Sequence, residues 1–210
     1  PRSSSAASDV YKRQEVAAER PRGLNWEVMN LATHTGVAKG DATNLPLPYN
    51  DNEFFGVYSE HFIEHLFKYQ GINFFKDVLR ILKPGGVVRT VWPPEEFINV
   101  LVSDDELTPD QQMFVEHYYN FYIVKEQFSP PGNNHRSKRE QCALGLLHQK
   151  GQHHYLWSRK EMMETLKDLG YTNVRLYPYQ ESGVPDFKNI DTPGKIRALH
   201  SAVVEATKPW

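Results

Sequence analysis

The chain has 210 residues, enough for one domain with its own core. Hydrophobic residues make up 40% and charged residues 24%, and the formal charge is -2, which together describe a globular chain without the basic excess that nucleic acid or an acidic membrane surface demands. A single cysteine, Cys142, excludes an intrachain disulfide, and no apolar run approaches the ~20 residues of a membrane span, so the expectation is a cytoplasmic protein with no nucleic-acid or membrane partner.

The opening stretch, residues 1–14 (PRSSSAASDVYKRQ), is small, polar and without period, and reads as a disordered or non-native leader. Residues 15–210 read as one domain. From 25 the pattern changes: NWEVMNLA (25–32), VAKGDA (37–42) and FFGVYSE (54–60) are strand candidates, the last apolar enough for a buried parallel strand. GINFFKDVLRILKPGG (71–86) places Ile72, Phe75, Val78, Leu79 and Leu82 on one helical face, with Arg80 and Lys83 near the last turn and Pro84-Gly85-Gly86 as the stop. VVRTVWPP (87–94) then reads as a strand, giving strand–helix–strand at the length of a right-handed crossover.

Residues 95–155 read as a helical and loop cover, broken near Thr108-Pro109, with a loop over 129–140 and histidines at 148, 153 and 154. In 156–210, Ser158 and Glu161 have capping-box spacing ahead of a helix ending at Gly170. Strands follow near 171–178 and 201–207. The fold class is therefore α/β, one mostly parallel sheet with a terminal antiparallel strand. Ligands of such sheets bind outside the carboxyl ends of the strands, which directs attention to Asn30 to Thr33, Asp41 to Leu45, Ser59 to His65 and Trp92 to Glu95.

Read together, GDATNLPLPYNDNEFFGVYSEHFIEHL and VLRILKPGGVVRTVWP resemble the class I methyltransferases that use S-adenosylmethionine. The resemblance covers about 25–93 and continues through HYLWSRKEMMETLKDLGYTNVR and HSAVVEATKP. It implies a Rossmann-like fold in which 25–94 is the cofactor-binding half. It also implies that Asp41 accepts from the adenine amino group, that the Ala42 N–H reaches a ring nitrogen, and that Leu45 packs nearby. Asn30 stands where many members carry an acid on the ribose, and Ser59 lies near the methyl-donating end. The family's glycine-rich loop finds no counterpart before Trp26, where the chain offers only Gly23; the expectation is that the first strand and this loop are missing through truncation.

Two readings compete at HFIEH. His61 and His65, four apart, are expected to share a helix face, and the string fits the inverted zinc-peptidase signature. The surrounding pattern favours the methyltransferase reading, so no metal is expected there, and His65 with Glu64 reads as a structural hydrogen-bonded pair lining the pocket. His61 is the candidate base, should the acceptor need to lose a proton. His65, His153 and His154 are candidate contacts to the substrate. The expected function is methyl transfer from S-adenosylmethionine to a small or sugar-like acceptor. The alternatives are a non-catalytic Rossmann-like binding module and a zinc hydrolase.

Overall fold

A computed structural model describes residues 13–16, 26–30, 38–39, 41–125 and 135–210. Among the described residues, seven strands form one sheet: β1 (Arg13–Val16), β2 (Trp26–Asn30), β3 (Ala38–Lys39), β4 (Phe54–Glu60), β5 (Leu82–Trp92), β6 (Thr172–Leu176) and β7 (Ala202–Thr207). Their order is β3-β2-β1-β4-β5-β7-β6. The β1 to β5 neighbours pair in parallel, while β7 runs antiparallel to both β5 and β6. The single mostly parallel sheet with an antiparallel closing strand agrees with the sequence reading.

One expectation is overturned. The first strand is not missing: β1 lies between β2 and β4, with Arg13 opposite Trp26 on one side and Gly56 on the other. The charges of Arg13 and Glu15 do not prevent this, because a strand's ladder is made by backbone groups and register here is set by β2 and β4. Arg13 and Gln14 therefore belong to the sheet rather than to a leader. The rest of that leader, the glycine-loop question at 17–25 and the loop at 129–134 lie outside the described residues. So do residues 25, 31–32, 37 and 40 of the first two strand candidates.

The sheet core follows the two-residue period of strands. Val57, Val88, Trp92 and Val204 face the helix α1 (Lys68–Ile81) and helix α5 (Arg159–Asp168), where Phe74, Phe75, Val78, Met162 and Leu166 complete one core. Tyr58, Val87, Val91 and Val203 face the other way, onto Phe187 and Ile190. Arg89 shares that second face and is fully buried. Its guanidinium donates to both Asp191 carboxylate oxygens and to Glu205 Oε1 at 2.7 Å, the latter directly opposite on β7.

Helix α1 starts at Lys68, a turn before the expected position, and buries Gly71, Phe74, Phe75, Val78 and Ile81. Phe74 and Ile81 replace Ile72 and Leu79 at the centre of its face because the helix lies rotated onto the sheet. Strand β5 begins at Leu82, and the Lys83-Pro84-Gly85-Gly86 turn is absorbed into it as an irregularity opposite Phe54 and Gly56. Gly85 takes φ 77°, and a Cβ on Gly86 would sit 2.8 Å from the Lys83 carbonyl, so both glycines are sterically required. Ser158 caps α5 through the Glu161 N–H, but the Glu161 side chain turns to Tyr155 and Lys68, so the capping box is only half formed.

The segment 95–155 folds as a helical cover. Helix α2 (Glu95–Val102), helix α3 (Pro109–Tyr118) with its π-helical continuation Tyr119–Lys125, and helix α4 (Lys138–His148) bury Phe97, Leu101, Phe114, Tyr118, Ile123, Cys142 and Leu146 in a core of their own. Thr108 caps α3 with Gln111 in a full capping box, at the break expected from Pro109. Helix α4 begins at Lys138, so the end of the expected loop is already helical.

Candidate active site

Strand β4 ends at Glu60, and the chain then reverses through His61, whose φ of 46° lies in the left-handed region that non-glycine residues rarely occupy. A single 3-10 turn, Ile63–His65, follows. His61 and His65 therefore do not share a helix face, because the helix proper starts only at Lys68. Glu60 itself is a hub. It accepts from Tyr58 Oη at 2.8 Å, Tyr179 Oη at 2.7 Å, the Thr192 N–H at 3.0 Å and Arg197 Nε at 3.1 Å. Burial alone would raise its carboxyl, but these donors and the Arg197 charge bring it down to about 2. Glu60 thus pins the end of β4 to the segment carrying helix α6 (Lys195–Leu199).

A cavity of about 510 Å³ opens at this place, beyond the carboxyl ends of β4 and β5. His61, Glu64, His65 and Pro93 form its floor, Tyr118, Tyr122 and Leu146 of the helical cover its roof, and Lys195, Arg197 and His200 one wall. His61 is held through Nε2. Nε2 lies 2.8 Å from Ser201 Oγ, and the serine hydroxyl donates to the Arg197 carbonyl, so the imidazole is the donor of the pair. That leaves the Nδ1 lone pair facing Glu64 Oε1 at 3.3 Å. Burial pushes His61 down to about 3, with the Arg197 charge adding to the effect. Burial raises the Glu64 carboxyl in turn.

His65 and His153 come together, with ring centroids 4.8 Å apart. Each binds a backbone carbonyl through Nδ1: Gln152 for His65, Leu146 for His153. Burial lowers His153 to about 4. Glu64 makes no hydrogen bond with His65; instead both its oxygens are buried without a hydrogen-bond partner, and only its backbone carbonyl is used, by His154 N–H and Tyr155 N–H. His154 is exposed and stacks on Phe67 at 4.4 Å, outside the cavity. Of the three expected substrate histidines, the structure thus puts His65 and His153 on the cavity and turns His154 away.

The residues expected on the cofactor lie around the sheet edge. Asp41 is exposed, and its Oδ1 accepts from the Thr43 N–H at 2.8 Å and Thr43 Oγ1 at 2.7 Å, leaving Oδ2 without a bond among the described residues. Ala42 is buried, and Leu45 packs on the main core. The segment is clamped from behind: Arg80 donates to the Leu47 and Tyr49 carbonyls while Asp77 accepts the Leu47 N–H. Ser59 is buried, its hydroxyl 3.1 Å from Thr90 Oγ1 on β5. The Asn30 side chain lies outside the described residues. Sequence reasoning did not find Arg197, His200, Tyr118 or Tyr122, whose approach depends on contacts across the whole chain. A signal for Glu64 did exist, in a lone carboxylate within the apolar string FIEHL.

In sequence, residues 11–90 match the family described as "Methyltransferase domain", and the match begins ahead of β1. No curated protein matches the chain. Among solved structures, a SAM-dependent methyltransferase from Archaeoglobus fulgidus superposes with a TM-score of 0.53 at 14% identity, covering 95% of this chain and 87% of that one. A putative methyltransferase from Bacillus halodurans gives 0.50 at 13% identity, covering 96% and 94%. The Haloferax volcanii complex of a Trm112 activator with a putative methyltransferase gives 0.51 at 12% identity, covering 96% and 84%. The class I methyltransferase recognition made from the motifs is borne out, and no helix among the described residues is long and apolar enough to cross a membrane.

Proposed function

Starting from a class I methyltransferase fold whose residues 11–90 match the methyltransferase-domain family, we propose that this protein transfers a methyl group from S-adenosylmethionine to a small-molecule acceptor held in the cavity beyond β4 and β5. The observation that carries this reading is the placement of that cavity. It lies at the carboxyl ends of the strands, where ligands of open α/β sheets bind, and under the helical cover.

The residues present fit the cofactor at its adenine end. Asp41 keeps Oδ2 available for an amino group, on a segment that Arg80 and Asp77 hold rigid. Asp41, Ala42 and Leu45 are assigned to the adenine, Asn30 to the ribose and Ser59 to the neighbourhood of the methyl-bearing end. When bound, the cofactor supplies an activated methyl group on a sulfonium. The protein's own part is to orient the acceptor for an in-line approach and to keep water out. His61 was the candidate base by position. Its Nε2 is engaged by Ser201 and its Nδ1 faces Glu64, so its role is assigned to positioning Glu64 at the cavity floor.

Titration of the full chain with S-adenosylhomocysteine tests the reading. Saturable one-to-one binding, weakened by Asp41→Ala, is the expected result. No binding, with the chain folded, would leave a Rossmann-like module without the cofactor and end the proposal.

A further inference from the structure

The carboxylate of Glu64 is fully buried, yet neither oxygen has a hydrogen-bond partner. A buried acceptor left this way costs about 1–3 kcal/mol, and more if charged, so a compensating ligand is the physical explanation to seek. Its surroundings supply one. One ligand atom each of Glu64, His65 and His153 lies within 4.8 Å of the other two. Both histidines give Nδ1–H to backbone carbonyls, Gln152 for His65 and Leu146 for His153. A carbonyl can only accept, so each ring is fixed as the tautomer with its lone pair on Nε2. This outer hydrogen bond is the arrangement that orients histidine ligands of metals. The backbone delivering His153 is itself strained: Gln149 and Lys150 both take positive φ, at 36° and 57°.

We propose that Glu64, His65 and His153 form a binding site for a divalent transition-metal ion of the zinc type, open toward the acceptor cavity. Two imidazoles and one carboxylate suit zinc and its neighbours, whereas magnesium and calcium prefer all-oxygen sets. Tetrahedral donors at ~2.0–2.2 Å from zinc are roughly 3.3 Å apart, so the three groups close on the ion by small side-chain movements. The fourth position faces the cavity. This set differs from the HFIEH spacing pair, because His61 is occupied by Ser201 and Glu64 while His153 arrives from the other end of the helical cover.

For the substrate, the inference rests on the proposed methyl transfer. It assigns an acceptor bearing an ionisable oxygen, such as a hydroxyl. The ion takes that oxygen as its fourth ligand and the hydroxyl proton passes to solvent. The oxygen lone pair then forms the new bond to the methyl carbon as the carbon–sulfur bond breaks, leaving a neutral thioether.

The test is zinc titration of the full chain by calorimetry, with metal content measured after dialysis. One equivalent of zinc is expected, unaffected by millimolar magnesium, with Glu64→Gln and His153→Gln each lowering affinity at least tenfold and His148→Ala leaving it unchanged. Absence of stoichiometric zinc, or full affinity in Glu64→Gln, overturns the site. Where a variant fails to fold, the wild-type chain loaded with cobalt decides: two paramagnetically shifted imidazole N–H resonances are expected, and fewer than two overturn the assignment. Titration with S-adenosylhomocysteine is independent, so failure of methyl transfer and failure of the metal site are told apart.

Discussion

Asp41 shows how one side chain carries two jobs at different oxygens. Oδ1 shapes the turn through Thr43, and Oδ2 is left over. Asp41→Ala should weaken S-adenosylhomocysteine binding by about 1.5–3 kcal/mol, the range for a hydrogen bond to a charged group. Calorimetry on wild type and variant checks this; unchanged affinity would confine Asp41 to the turn. Arg89 has the opposite character, structural and remote from the cavity. Its charge is neutralised by Asp191 and Glu205 in a place that water does not reach. Arg89→Ala leaves two carboxylates buried without their cation and should cost about 3–5 kcal/mol in denaturant unfolding. A loss below about 1 kcal/mol would show that the cluster readily rearranges.

At the scale of elements, tight packing within the cover governs the cavity roof. Helix α4 meets the π-helical segment at Gly145, where a Cβ would lie 2.5 Å from Ile123 Cδ1 and 3.1 Å from Tyr118 Cε1. Gly145→Val should push these helices apart and destabilise the protein by about 1–3 kcal/mol. Because Tyr118 lines the cavity, acceptor affinity should fall as well; thermal melting and a binding assay read the two effects separately. Elements with a local signature were legible in the sequence. Pro109 and Thr108 marked the start of α3, an apolar run marked β4, and alternation marked β6. Strand β1 was not legible: its four residues are flanked by charge, and only pairing on both edges makes them a strand. The face of α1 was misjudged by about one residue, because helical period alone does not fix how a helix is rotated on a sheet.

For the molecule as a whole, burial of imidazoles sets the response to acid. His61, His153 and His200 hold values of about 3, 4 and 3 in the fold, against 6.5 when unfolded. Between these values the unfolded chain binds more protons, so their contribution to stability is present above 6.5 and is lost as pH falls through that window. Glu60, lowered to about 2, adds a further loss below 4.5. Glu64, raised by burial, acts in the opposite sense, favouring the fold at low pH. Three histidines outweigh one carboxyl, so the melting temperature should drop between about pH 7.5 and about pH 5, and His200→Gln should flatten the slope. A melting temperature constant over that range would contradict it. The same burial explains what the sequence hid of the site. HFIEH was visible as a string, but its partners at 146–153 and 196–201 are distant in the chain. Only the fold shows which histidines meet and that His154 does not.

The place of β7 has a consequence for the order in which the protein assembles. Among the described residues, strand β6 finds its neighbour only in β7, and β7 slots between β5 and β6 although it follows both in the chain. During synthesis, residues 172–176 emerge with no strand to join until 202–207 have followed. The Arg89 cluster, which also needs Glu205, must wait with them. The half of the sheet from β1 to β5 can pair beforehand, leaving β5 as an open template for whichever strand arrives first.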